Sequence, residues 1–191
     1  MNILVFDNYD SFTYNLVHLV EKITNGKVTV VRNDEMPLEK MKDYDKIILS
    51  PGPGIPEEAG LLLPLIKEYA PVKSIFGVCL GQQAIGQAFG ASLTNLKEVY
   101  HGVATNVNII KEDGRLFNNI PRQIAAGRYH SWVIDESTMP EELVITAKDE
   151  DGFIMAVQHN KYDVCGVQFH PESVLTPLGE QIVRNWLSDS Y

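Results

Sequence analysis

The sequence is poor in cysteine: two among 191 residues, Cys79 and Cys165, with no C-x-x-C pair. That excludes a disulfide framework and points to a reducing compartment. It has no apolar run of membrane-spanning length, the longest stretches being broken by Ser, Gly or Lys. Positive charge is scarce and scattered: sixteen Lys and Arg, never four together, against 25 Asp and Glu, for a net charge of −9. A nucleic-acid surface normally shows a basic patch, so no such partner is expected. There is no phosphate loop of the G-K-[ST] kind, no dinucleotide fingerprint and no metal-ligand cluster. The opening "MNILVFDNYD" carries no basic leader or cleavage site. We expect a cytoplasmic protein that acts on a small molecule without metal or cofactor, and has no membrane partner.

What is present suits one α/β domain over residues 1–191. Hydrophobic residues make up 45% and charged residues 21%, the balance of a globular chain with a substantial core. In the first half, β-rich runs alternate with helical patterns. "NILVFD", "KVTVVR", "DKIILS" and "KSIFGVC" read as strands, and "SFTYNLVHLVEKIT", "AGLLLPLIKEYA" and "LGQQAIGQAFG" as helices. In the first helix Phe12, Leu16, Leu19 and Ile23 keep a spacing of three or four; Asp10 or Ser11 suits its start and Gly26 its end. Pro64 implies a kink or a late start in the second helix, and Gly90 stops the third. Such alternation implies a doubly wound, mostly parallel sheet. From Ala91 to Gln168 the texture turns to short strands, "ATNVNII", "ELVITAKD", "FIMAVQH" and "DVCGVQF", with a hairpin turn between the last two. "PLGEQIVRNWLSD" closes the chain as a helix with Pro177 near its start.

Chemistry concentrates where "SIFGVC" meets "LGQQAIG". "GVCLG" has the form G-x-nucleophile-x-G, the strained strand-to-helix elbow that lifts a nucleophile out of a sheet. Side chains at Gly77 and Gly81 would collide with the neighbouring strand and the first helical turn. The helix N-terminus behind Cys79 favours the thiolate, and the N–H of Leu80 is free to face a developing oxyanion. The competing view, a buried core cysteine, is the commoner fate of a free cysteine. It suits Cys165, whereas the paired glycines favour a nucleophile at Cys79. A phosphatase-type loop would want arginine where Ile85 stands.

A cysteine nucleophile needs a base, and the base an orienting group. Of the five histidines, His18 reads as a surface or boundary residue and His159, in the hairpin turn, as solvated. His101 and His130 lie in loop-like context, as structural or substrate-proximal groups. His170 ends an apolar run and precedes Pro171 and Glu172. In extended chain Glu172 projects to the same side as His170 and can fix its tautomer. A second loop, "SPGPG", follows "DKIILS", and its side-chain-poor backbone can offer Gly52 N–H as a second oxyanion donor.

"SPGPG", "GVCLGQQAI", "RYHSW" and "QFHPES", in that order, resemble the class I (triad) glutamine amidotransferases over nearly the whole chain. "FDNYDSFTYNLV" is similar to the amidotransferase subunits that serve chorismate-aminating synthases, those making anthranilate or 4-amino-4-deoxychorismate. The resemblance implies a flavodoxin-like sandwich with an added antiparallel portion in the C-terminal half. It implies Cys79 as nucleophile, His170 as general base and acid, and Glu172 as its orienting carboxylate. Gly52 and Leu80 match the oxyanion donors in a loop that includes Pro53 and Gly54. Gln83 matches a glutamine-contacting side chain, and Ser131 and Trp132 the segment whose backbone holds the substrate's amino-acid end. The implied partners are L-glutamine and a chorismate-binding large subunit. Gln82, Val103 and Trp132 depart from the family pattern, where histidine, lysine and leucine are usual. A stand-alone γ-glutamyl hydrolase and a non-catalytic regulatory subunit are the alternatives; the intact triad opposes the second.

Overall fold

The structure, a computed structural model, describes residues 1–112 and 114–188. Its elements follow the hydrophobic patterning closely. β1 (Ile3–Asp7), α1 (Thr13–Thr24), β2 (Thr29–Arg32), β3 (Lys46–Leu49), α2 (Leu62–Tyr69), β4 (Ser74–Val78) and α3 (Leu80–Ala88) alternate through the first half. The second half supplies β5 (Leu93–Asn95), β6 (Val103–Ile109), β7 (Gln123–Arg128), β8 (Trp132–Ile134), β9 (Leu143–Asp149), β10 (Ile154–His159), β11 (Val164–Val167) and α4 (Gly179–Leu187).

Nine strands form one sheet in the order β2-β1-β3-β4-β11-β10-β9-β6-β7, and β5 with β8 forms a small antiparallel pair. Strands β2 to β11 in that order are parallel, the doubly wound core; β10, β9, β6 and β7 extend it antiparallel. Alternation along the strands divides the core. Ile3, Val5, Ile48, Phe76 and Val78 pack under α1 and α4, where Phe76 stacks on Trp186 at 5.5 Å. Leu4, Phe6, Ile47, Leu49 and Ile75 pack under α2 and α3. Two apolar faces on each strand demand helices on both sides of the sheet.

Details differ from the sequence expectations. Asp10 does serve the start of α1, its carboxylate accepting from Phe12 N–H at 2.7 Å. At the other end Asn25, not Gly26, takes the left-handed conformation (φ 52°), as asparagine's short amide tolerates. The buried stripe of α1 is Thr13, Leu16, Val17 and Val20, with Leu19 and Ile23 at its margin. Pro64 sits in the first turn of α2, where no N–H is missed. β5, β7 and β8 carry little hydrophobic alternation; "QIAAGR" is held as a strand by pairing with β6. Of the closing run, Asp189 lies outside the described residues. His159 is a correction: it is buried, not solvated, because the hairpin turn folds over it. Its Nδ1 accepts from the N–H groups of Lys161 and Tyr162, and its ring stacks on Tyr162 at 4.4 Å. Burial pushes its pKa down.

Candidate active site

Ligands of doubly wound sheets gather beyond the carboxyl ends of the strands, near the switch in strand order. Here β1, β3, β4 and β11 end together, and each delivers a segment singled out from the sequence.

Cys79 follows β4 with φ 53° and ψ −104°, a strained conformation for a residue with a side chain. It is held there by its own N–H, which donates to Val167 O at 2.8 Å, and by its carbonyl, which accepts from Gln83 N–H at 3.1 Å. The flanking glycines are needed for space. A Cβ on Gly77 would lie 2.5 Å from the Gly81 carbonyl carbon, and one on Gly81 would lie 2.5 Å from Leu49 O. Helix α3 can thus descend onto β3 and β4 only with glycine at both places.

The "SPGPG" loop is tied to the end of β1. Asn8 N–H donates to Ser50 Oγ and Asn8 Nδ2 to Ser50 O, both at 2.8 Å. This brings Gly52 so close to Leu80 that a Cβ on Gly52 would fall 2.7 Å from the leucine side chain. Among the described residues neither Gly52 N–H nor Leu80 N–H finds an acceptor. Pro53 continues the loop, and Gly54 turns it with φ 71°.

His170 and Glu172 lie beyond β11, both side chains buried. His170 Nδ1 meets Glu172 Oε1 at 2.6 Å, which leaves Nε2 without a full hydrogen-bond partner among the described residues and turned toward Cys79. Burial alone would depress the pKa of His170. The neighbouring Cys79 sulfur and the Glu172 carboxylate outweigh it and raise the value to about 10. The loop is anchored by backbone: His170 N–H donates to Gly127 O at 2.9 Å, and Thr176 Oγ1 donates to His170 O at 2.7 Å. Phe12 and Tyr129 close on the imidazole edge-on, 5.2 and 4.8 Å away between ring centres. No local pattern marks these aromatics, because they come from distant segments.

The segment "RYHSW" approaches α3 from β7 and β8. Trp132 O accepts from Gln83 Nε2 at 2.9 Å and lies 3.0 Å from His130 Nδ1; Ser131 O accepts from Leu96 N–H at 2.7 Å. His130 is buried, and that burial, with the charge of Arg128, pushes its pKa down to about 3. Two buried residues escaped the sequence reading. Arg128 bonds Asp149 at 2.7 Å, and Gln168 Nε2 lies 3.5 Å from Cys79 Sγ. Gln168 stands two positions before His170, so strand alternation points it to the same side. Gln82 is buried with neither amide atom hydrogen-bonded to a described residue. His101 is exposed, His18 likewise, and Cys165 is a buried thiol that desolvation keeps protonated.

His130 makes acid stability testable. Below the ordinary histidine value of 6.5, the unfolded chain takes a proton that the folded imidazole refuses until about pH 3. One such proton costs about 1.4 kcal/mol of stability per pH unit. His170, held above 6.5, contributes stability below that pH and loses it only toward pH 10, so it adds nothing to the acid slope. Urea unfolding between pH 6.5 and 4.5 should therefore fall less steeply in His130→Gln, by about that slope.

The sequence model described as "Glutamine amidotransferase class-I" matches residues 4–190. Anthranilate synthase component 2 of Cyanophora paradoxa is 45% identical over 190 residues, covering 97% of this chain and 98% of the relative. Aminodeoxychorismate/anthranilate synthase component 2 of Bacillus subtilis is 40% identical over 188 residues, covering 97% and 95%. The chain spans 32% of the length of a bifunctional protein of Thermotoga maritima, with 42% identity. A solved glutamine amidotransferase structure from the same organism shares the fold, with a TM-score of 0.80 over 98% of this chain and 96% of that one, at 14% identity.

Proposed function

Because the chain belongs to the class-I glutamine amidotransferase family, we propose that it releases ammonia from glutamine at Cys79 for a partner subunit that aminates chorismate, with anthranilate as the product. The observation that carries this is the meeting, beyond the carboxyl ends of β3, β4 and β11, of a strained cysteine, a buried His170–Glu172 pair and two backbone N–H groups without an acceptor among the described residues.

The chemistry follows from the charges. At neutral pH His170 holds its proton, and an imidazolium beside a cysteine favours the thiolate form that attacks. The thiolate attacks the side-chain amide carbon of glutamine, and the resulting oxyanion is received by Gly52 and Leu80 N–H. His170 gives its proton to the amide nitrogen as the C–N bond breaks, and ammonia leaves. Now neutral, His170 takes a proton from water, whose hydroxide attacks the γ-glutamyl thioester. Collapse expels the thiolate, frees glutamate and restores the resting pair. Glu172 keeps Nδ1 engaged throughout, so Nε2 handles every proton. Both N–H bonds of Gln83 are spent inside the protein, leaving its amide oxygen for the substrate. Ser131 and Trp132 border the amino-acid end.

A partner is supported by the relatives' names as synthase components and by exposed apolar side chains close in sequence to site residues. Val174, two residues after Glu172, is 95% exposed, and Tyr14, two after Phe12, is 60% exposed. The name of the Bacillus relative favours a second product, aminodeoxychorismate, for the same subunit. Mixing the chain with an anthranilate-forming or an aminodeoxychorismate-forming large subunit, plus chorismate and glutamine, tests both. Anthranilate with the first supports the proposal; glutamine-dependent product with neither refutes it. Rapid glutamine hydrolysis that no large subunit changes would instead indicate a stand-alone hydrolase.

A further inference from the structure

We propose that Gln168 is a catalytic residue whose side-chain N–H donates to the Cys79 sulfur and holds it as thiolate, aimed there by buried hydrogen bonds that run outward from the Trp132 carbonyl through Gln83. This rests on Cys79 being the nucleophile.

The direction of the chain follows from chemistry at its fixed points. Arg128, buried against Asp149 at 2.7 Å, has only donors. Its Nε–H reaches His130 Nε2 at 3.0 Å, so that nitrogen accepts and the imidazole proton sits on Nδ1. Nδ1–H then donates to Trp132 O at 3.0 Å. A carbonyl oxygen only accepts, so the Gln83 group that meets it at 2.9 Å is the amide nitrogen. The same nitrogen lies 3.3 Å from Gln168, which must answer with its oxygen, Oε1. That leaves the Gln168 nitrogen on the sulfur side, 3.5 Å from Cys79 Sγ. His130 accepts from Arg128 only while neutral, and Gln168 is fully buried, so no water competes for its N–H.

A donor on sulfur favours the thiolate over the neutral thiol, because hydrogen bonds to charged acceptors are the stronger ones. It therefore assists twice, in the resting enzyme and when the thioester collapses to release thiolate. Gln83 is a positioning residue: it acts through Gln168, keeping that amide from turning an oxygen lone pair toward the sulfur. His130 and Arg128 brace the Trp132 carbonyl that Gln83 meets.

The test reads Cys79 alkylation by iodoacetamide against pH, with the modified peptide identified by mass so that buried Cys165 is not counted. Gln168→Leu should slow alkylation about tenfold at neutral pH, with the wild-type rate regained in alkali. Gln83→Leu should shift the profile the same way by less. A folded Gln168→Leu protein alkylated at the wild-type rate throughout, or slowed equally at every pH, overturns the proposal. Should that variant not fold, the wild-type protein serves: the Gln168 side-chain nitrogen resonance should follow the same pH course as alkylation and shift when Cys79 is alkylated. A resonance indifferent to both also overturns it. Alkylation needs no glutamine turnover. A Gln168-dependent profile in a protein that hydrolyses no glutamine with any partner would defeat the functional reading and leave this one standing.

Discussion

Replacing Cys79 by alanine should abolish glutamine-dependent product formation, by roughly four to six powers of ten as for other lost nucleophiles. The assembled synthase supplied with ammonium salt should still aminate its acceptor. The two halves separate because the sulfur serves only the splitting of glutamine, whereas the amination proposed here belongs to another chain. Alanine is safe for the fold: Cys79 is held through its backbone bonds to Val167 and Gln83, and the positive φ is already accommodated with a Cβ present. Steady-state assays with glutamine and with ammonia, run on one preparation, decide the matter. Equal loss with both nitrogen sources would mean that Cys79 supports the assembly, and retained glutamine activity would remove it from the mechanism. The stand-alone hydrolase alternative predicts loss of all activity and no ammonia-dependent reaction.

Gly179→Ala should have the next largest effect, although this residue touches no substrate. A Cβ there would lie 1.8 Å from Pro171 O and 2.6 Å from Pro171 C. These are backbone atoms between His170 and Glu172, so they cannot yield by rotating a side chain. Either α4 lifts from its seat, where its own Trp186 stacks on Phe76, or Pro171 moves by more than about 1 Å and carries the imidazole with it. A misplacement of that size costs on the order of 100-fold in rate, and the overpacking about 1–3 kcal/mol or more in stability. Glutaminase kinetics and thermal unfolding of the variant should show both losses. Gly26→Ala, whose nearest contact would be an ordinary 3.6 Å, should show neither. An active, stable Gly179→Ala protein would mean that the loop is not held in place by this close approach.

Cys79 and its two glycines were legible because an elbow imposes its demands within five residues, and Gly77 and Gly81 meet the obstacles expected of them. The pairing of His170 with Glu172 was equally local, two residues apart on extended chain. The strands of the parallel core showed themselves by apolar runs, since burial on both faces leaves no polar position to confuse the pattern. β7 and β8 did not, because they are held by partners on other strands: β7 carries mostly small or polar residues, and β8 is only three residues long. His159 misled for the same reason: a turn is exposed by habit, and only the fold shows that this one closes over its own histidine.

By itself, then, the chain's order of residues determined what each segment would be and which groups could do chemistry. Spacing of two, three or four residues dictates the side of a strand or helix on which a group must lie. Tertiary structure alone decided which of those groups meet. Arg128 with His130, Asp149, Gln83 and Gln168 come from four separate stretches. Their hydrogen bonds form because parallel and antiparallel strands end at one edge of a single sheet. Contacts between residues so far apart leave no periodicity behind, since each has only to fit its partner in space.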